Sequence, residues 1–391
     1  MAPGVEEGQH VLERIHRDSF PEPRAPSHDE RSGVWSKFPG LFSIVSPDSS
    51  SYLGGVSTVR NRKATIVNDT PSLTSRLTTP FHSHATATEV IDGVDLGGRR
   101  VIVTGGASGI GVETARALAA AGAEVTVAVR NPAAAEPLVR EVAAAPGPGS
   151  VRAAAIDLAD LSSVAAFVRE WQGPLDVLVA NAGVMALPER RITAEGWELQ
   201  LATNHLGHFA LALGLHGRLR AAGSARVVVV SSGAHRGAAF DFDDPHFARR
   251  PYDRWAAYAQ SKTADVLFAV GARRWLADGI TANALNPGWI STNLQRHVDD
   301  ATMRALGAMD DEGNIIEQPY YKTPLQGAAT SVLLAASPLV DGVTGRYFED
   351  NQEARTVADG DGEQAGGVAP HALDPHAADR LWEYAAGTVG R

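Results

Sequence analysis

The 391-residue chain is predicted to form an α/β domain built on one doubly wound, parallel sheet of about seven strands with helices on both faces. Three observations predict it. From residue 100 onward, short apolar runs alternate with stretches of helical spacing, the rhythm of strand–helix–strand crossovers. The runs are unbroken rather than alternating, as strands covered on both faces must be. A glycine-rich stretch, TGGASGIG at 104–111, separates the first run from the first helical stretch.

The elements follow in order. Residues 1–76 show no sustained helical or alternating pattern, use Ser, Pro and Gly freely, and hold nine acids and nine bases. They are expected to lie outside the folded domain, as a flexible tail or as upstream sequence foreign to the native chain. Residues 77–391 are expected to form the domain, with LTTPFHSHATATEV from Leu77 as a short lead-in. RVIVT (100–104) is the first strand, and 110–121 is the first helix, with Ile110, Thr114, Ala117, Leu118 and Ala121 at helical spacing. EVTVAV (124–129) is the second strand, RAAAI (152–156) a weaker third, LDVLVA (175–180) the fourth and RVVVVS (226–231) the fifth. Helices are expected over 160–171, 193–221 and 255–277. ITANALN (280–286) and GRYF (345–348) complete the sheet, with a lid over about 293–322 and a C-terminal helix over about 375–386.

Residues 1–76 are neutral, so the whole net charge of −10 falls on the remainder, and a domain this acidic repels polyanions. Nucleic acid is therefore excluded as a partner. No apolar run reaches membrane-spanning length and no basic-then-apolar leader opens the chain, so neither a membrane span nor a Sec-type signal is expected. The absence of cysteine excludes disulfides, thiolate metal sites and thiol nucleophiles, and it fits a cytoplasmic protein. His82, His84, His205, His208 and His235 are the candidate metal ligands. His205 and His208 would share a helix face, but no carboxylate or third histidine lies in their stretch, so no metal is expected.

The chemistry is carried by short motifs at the C-terminal ends of strands, where open α/β sheets bind ligands. In the glycine loop, Gly105 allows a tight exit from the strand, and Gly109 and Gly111 let backbone approach a pyrophosphate; Ser108 and Ile110 complete the expected contact. No G-K-[ST] follows, which excludes a P-loop. Asp157 and Leu158 follow the third strand, Asn181, Ala182 and Gly183 the fourth, and Pro287, Gly288 and Thr292 the sixth. The second strand ends in VAVRN, with Val129 where a site for NAD carries an acid and Arg130 next, so NADP is the expected cofactor and NAD the lesser one. Asp157 is then left for the adenine. Beyond Lys63 only Lys262 and Lys322 remain among many arginines, and Lys262 stands four residues after Tyr258, on the same helix face.

In this order, T-G-x-x-x-G-x-G, N-A-G, S, Y-x-x-x-K and P-G resemble the short-chain dehydrogenase/reductase family over roughly residues 95–350. VVVVSSGAH, the long Ser–Tyr gap and GRYFED resemble the branch of retinol dehydrogenases, the WW-domain oxidoreductase and protochlorophyllide reductase. The resemblance implies a seven-stranded Rossmann-type sheet and a catalytic set matched by Asn204, Ser232, Tyr258 and Lys262, the second of the two serines being the aligned one. In that set the Lys262 ammonium lowers the pKa of Tyr258 and reaches the cofactor ribose, Ser232 holds the substrate oxygen, and Asn204 orients a water on a proton path. The expected function is an NADP-dependent oxidoreductase interconverting an alcohol and a carbonyl compound. The apolar face of ATMRALGAM in the lid, with Trp289 and Tyr321, hints at a lipophilic small-molecule substrate. The other reading is a catalytically silent cofactor-binding regulator of the same fold. The resemblance further implies a homodimer paired through helices around 204–220 and 255–277.

Overall fold

The structure is a computed structural model that describes residues 76–390 except 306, 317 and 358–365. The extension expected over 1–76 lies outside the described residues apart from Arg76. Eight strands run β1 Arg100–Thr104, β2 Glu124–Val129, β3 Ser150–Ala155, β4 Val177–Ala180, β5 Ala225–Val230, β6 Ile280–Asn286, β7 Tyr347–Glu349 and β8 Gln352–Glu353. They form one sheet in the order β3-β2-β1-β4-β5-β6-β7-β8. β1 to β7 are parallel, and β8 is a two-residue strand that turns back antiparallel on β7. The winding reverses between β1 and β4, which opens a crevice at their carboxyl ends.

The helices are α1 Ala87–Ile91, α2 Gly109–Ala120, α3 Glu136–Ala144, α4 Leu161–Glu170, α5 Gly207–Ala221, α6 Arg254–Gly271, α7 Asp300–Ala305, α8 Ala329–Ala336 and α9 Pro375–Val389, with shorter turns between them. α4, α5, α6 and α9 bury one face of the sheet through Phe167, Leu215, Val266 and Leu381. On the other face α1, α2, α3 and α8 pack through Val90, Leu118, Leu138 and Leu333. The helix expected over 193–221 starts only at Leu199. Residues before it form a turn bridged from Ile192 to Glu198, and Glu198 caps the helix by accepting from the N–H groups of Gln200 and Leu201. A π segment, Ala202–Leu206, then leads into α5. The helix expected to reach 277 is α-helical only to Gly271 and ends as a 3₁₀ turn, Ala272–Asp278, capped by left-handed Gly279.

α9 lies along α6. Its Trp382 ring stands 5.0 Å from both Phe209 and Trp275 and 6.0 Å from Phe268. With this cover, α6 is buried from Ala257 to Gly271. The chain's own C-terminal helix thus covers one face of α6, one of the two helices through which a homodimer is expected. Among the described residues no helix is long and apolar enough to cross a membrane.

The lead-in is tied to the sheet edge. Leu77 N donates to Glu353 Oε2 at 2.7 Å, Glu353 N donates back to Leu77 O at 3.1 Å, and Asn351 Nδ2 donates to His82 O at 2.9 Å. A chain begun at residue 77 keeps these contacts and is expected to melt with the full chain. A fall of several degrees in scanning calorimetry would show that the preceding residues contribute to stability.

Candidate active site

The crevice between β1 and β4 is built around Thr104, the last residue of β1. Its hydroxyl oxygen accepts from Asn181 N at 2.9 Å and Ala182 N at 3.0 Å, and Asn181 Nδ2 donates to Thr104 O at 2.7 Å. This drawing-together leaves no room for a side chain at two positions of the loop. A Cβ on Gly105, where φ is +67°, would lie 2.9 Å from Ala182 Cα; one on Gly111 would lie 2.6 Å from Asn181 Nδ2 and Gly105 O. The T-G, N-A-G and final loop glycine are thus one steric unit. Ser108 begins α2 with extended backbone and no side-chain cap, so the first-turn N–H groups remain available to an anion.

A cavity of about 1540 Å³ opens over this cradle. That exceeds the roughly 300–1,000 Å³ of a drug-sized site and leaves room for a dinucleotide and a second molecule. Gly105, Ser108, Gly109, Ile110, Gly111, Arg130, Asp157, Leu158, Asn181, Ala182, Gly183, Ser232, Tyr258, Lys262, Pro287, Gly288 and Thr292 all line it. Asn204 stands behind the wall. Arg130 is exposed at the end of β2 and has no ion-pair partner among the described residues, and Arg296 lines the same cavity. The segment expected as a lid crosses the opening with Leu294, Val298, Met303 and Tyr320, anchored by Arg254, whose Nη2 donates to Asp299 Oδ2 and Thr302 Oγ1, both at 3.0 Å. Tyr320 lines the cavity where Tyr321 was expected; Tyr321 instead stacks on Trp289, with ring centroids 5.5 Å apart.

Tyr258 and Lys262 sit one turn apart on α6 and are 4% and 5% exposed. Lys262 Nζ lies 5.9 Å from the Tyr258 ring centroid and donates to Val230 O at 2.8 Å and to Asp265 Oδ2 at 2.9 Å. The Ser232 hydroxyl accepts from Ala234 N at 3.2 Å and lines the same cavity as the Tyr258 phenol. Ser231 is turned away, donating to Lys262 O at 2.8 Å. His235 braces Ser232. It accepts from Ala369 N at Nε2, 3.1 Å, so the proton is on Nδ1, which donates to Ser232 O at 2.7 Å. Burial depresses its pKa to about 3 and keeps it neutral.

The electrostatics refine the expectation for Tyr258. Burial raises the phenol's pKa above its ordinary value, while Lys262 and Ser232 pull it down and Asp265 pushes it up. Lys262 acts in the expected direction, but burial outweighs it. Burial also works against the Lys262 ammonium, yet Asp265 and Tyr258 hold its pKa above the usual lysine value.

The π segment points Asn204 into the wall, where its amide is committed to protein. Val184 N donates to Oδ1 at 2.8 Å, and Nδ2 donates to Val184 O at 3.0 Å and Ser261 Oγ at 2.9 Å. The side chain therefore anchors the turn after Gly183. The Asn204 carbonyl accepts from His208 Nδ1 at 2.7 Å, so Nε2 of that ring accepts from the Thr104 hydroxyl at 2.8 Å. Burial lowers the His208 pKa to about 4, so this link between the two halves is a neutral one. The five histidines weighed as ligands do not converge, and among the described residues no metal-binding cluster forms. Sequence reasoning missed the bridging role of His208, and it missed Asp265 and the wall residues Met185, Leu199 and Trp255 altogether. Asp265, three residues after Lys262, was the one with a visible signal.

The profile of the family described as "short chain dehydrogenase" matches residues 99–302. The chain is 75% identical over 296 residues to a "Probable oxidoreductase" of Streptomyces lividans, covering 76% of this chain and 99% of that one. It is 37% identical over 310 residues to human "Retinol dehydrogenase 14", covering 75% and 87%. A crystal structure from Beutenbergia cavernae, described as a "putative NAD(P) dependent gluconate 5-dehydrogenase" with bound NADP at low occupancy, aligns with a TM-score of 0.50 and 30% identity over 66% of this chain and 96% of that one.

Proposed function

The chain belongs to the short-chain dehydrogenase family, and from that premise we propose that it is an NADP-dependent oxidoreductase interconverting an alcohol and a carbonyl compound, with Tyr258 as general acid and base. The observation that carries this reading is the meeting of Tyr258, Lys262 and Ser232 in one cavity with the glycine cradle. The cradle and the N-terminus of α2 suit a pyrophosphate, Arg130 a 2′-phosphate and Asp157 an adenine. Asn181 to Gly183, Pro287, Gly288 and Thr292 would hold the nicotinamide end, and Lys262 would reach the ribose. The bound nicotinamide supplies or accepts the hydride. The chain's own work is at the substrate oxygen. Ser232 holds it, Tyr258 Oη gives it a proton in reduction or takes one in oxidation, and the Lys262 charge favours the phenolate.

Met185, Leu199, Trp255, Val298 and Met303 give the substrate side apolar walls, which suits a lipophilic substrate. The similarity to a retinol dehydrogenase supports the same reading. A silent NADP-binding regulator remains the alternative, but it has no use for a buried ammonium under a buried phenol. The test is loss of nicotinamide absorbance when NADPH meets a panel of aldehydes and ketones, including retinaldehyde, citral, aromatic aldehydes and short sugars. Turnover confined to lipophilic carbonyls is expected. Turnover confined to sugars would overturn the substrate class, and none at all would favour the regulator.

Arg130→Ala is expected to raise KM for NADP(H) about tenfold or more while leaving that for NAD(H) nearly unchanged, because only a 2′-phosphate meets the guanidinium. Steady-state kinetics with both coenzymes check this. An unchanged NADP constant, or a wild-type preference for NAD, would contradict it.

A further inference from the structure

Behind the cavity lies a titratable cluster that the mechanism above leaves unused. Asp265, on the same helix as Tyr258 and Lys262, is 1% exposed. One of its oxygens, Oδ2, accepts from Lys262 Nζ at 2.9 Å. The other, Oδ1, is buried without a hydrogen-bond partner and stands 3.8 Å from His205 Nδ1. Both ring nitrogens of His205 are likewise buried and unpartnered, the ring being held between Phe209 and Phe268. A buried carboxylate with only one oxygen satisfied is costly, and a fold that retains one requires an explanation. Its charge is weakly screened there and acts strongly on its neighbours.

The donor inventory gives that explanation. An ammonium has three N–H bonds in a rotating tripod. Val230 O and Asp265 Oδ2 take two, which stops the rotation and leaves the third with one direction. A Cβ built on Gly183 would lie 3.9 Å from Nζ, so the backbone there is bare where the ammonium meets the cavity wall. We propose that Asp265 is a positioning residue for the reaction: its buried carboxylate aims the Lys262 ammonium and fixes the charge balance in which Tyr258 works. This rests on the reading of Tyr258 and Lys262 given above.

Among the described residues, the titratable groups around the carboxylate are Lys262 and Tyr258 on its own helix, His205 from the π segment and His208 from α5; Tyr347 of β7 faces Tyr258 from the other side. Removing the negative charge while keeping the shape makes proton loss from the Tyr258–Lys262 pair easier, whichever member loses it, because the two titrate as a coupled unit. Asp265→Asn is therefore expected to move the rising limb of kcat/KM for alcohol oxidation to lower pH by about one unit, the scale of a charge removed from within a few ångströms. A falling limb should enter at high pH as the pair loses its second proton. NADPH binding, followed by fluorescence titration without substrate, should weaken about tenfold, the order of one charged hydrogen bond.

The kinetic probe is geraniol, or whichever alcohol of the panel turns over. Asp265→Ser, which leaves space for a water, is made alongside. A folded variant whose pH profile and NADPH affinity superimpose on wild type overturns the proposal. So does a rate that falls equally at every pH, and so does failure of both variants to fold, since the carboxylate would then be structural only. Absence of turnover in wild type would instead count against the enzymatic reading, and the NADPH titration would still decide the aiming of Lys262.

Discussion

Tyr258→Phe is expected to bind NADPH nearly as wild type does and to lose turnover by about 10²–10⁴-fold, the usual contribution of a positioned general acid. The substitution removes one oxygen from a ring that is 4% exposed, so packing is conserved. The influence of Ser232 on the phenol goes with it, while Lys262 keeps Val230 O and Asp265 and can still meet a ribose. Loss should therefore fall on kcat, with little change in the melting temperature. Binding is measured by fluorescence titration and rate by single-turnover kinetics. A variant keeping more than about a tenth of wild-type rate lies outside the range for general acid–base help and would show that the proton moves elsewhere.

Lys262→Ala should be broader in effect. It removes the group that favours the phenolate, a donor to the cofactor ribose, and the counter-ion of a carboxylate that is 1% exposed. Breaking a buried ion pair from one side costs about 3–5 kcal/mol, because the charge left behind is uncompensated. The melting temperature should fall, NADPH should bind more weakly, and the rate should drop at least as far as in Tyr258→Phe. The double variant Lys262→Ala/Asp265→Asn tells the effects apart. It should recover much of the stability by removing the orphaned charge, and recover none of the rate. Recovery of both would mean that Lys262 matters only as the partner of Asp265.

The parts of the fold readable from sequence are those where burial is complete on both faces. β2 and β6 fall on the expected residues because EVTVAV and ITANALN are short, largely apolar and closed by turn residues or helix ends. α3 and α8 were not anticipated; the α8 segment, ATSVLLAA, is apolar nearly all round and gives little contrast between faces. β8 is two residues long and exists only because Asp350 and Asn351 adopt left-handed backbone, φ +51° and +62°, to turn the chain back. The motif residues were legible because steric need writes them: Gly105, Gly111 and Asn181 exclude one another's alternatives. Two things were not. A π segment has no distinct composition, so the placement of the Asn204 side chain within the wall could not be seen. Asp265 is a charge on a helix, which in sequence reads as a solvated face; only packing by the π segment and Phe268 makes it a buried partner of Lys262.

The central claim is that this cavity moves a hydride and a proton rather than merely holding NADPH. NADPH deuterated at nicotinamide C4, on each face in turn, is incubated with the protein and the carbonyl panel, and products are read by mass spectrometry. The account predicts an alcohol carrying one deuterium on its former carbonyl carbon, from one face of the label only, and none with Tyr258→Phe. Tight NADPH binding with no labelled alcohol from any carbonyl, or label transfer undiminished in Tyr258→Phe, would contradict it.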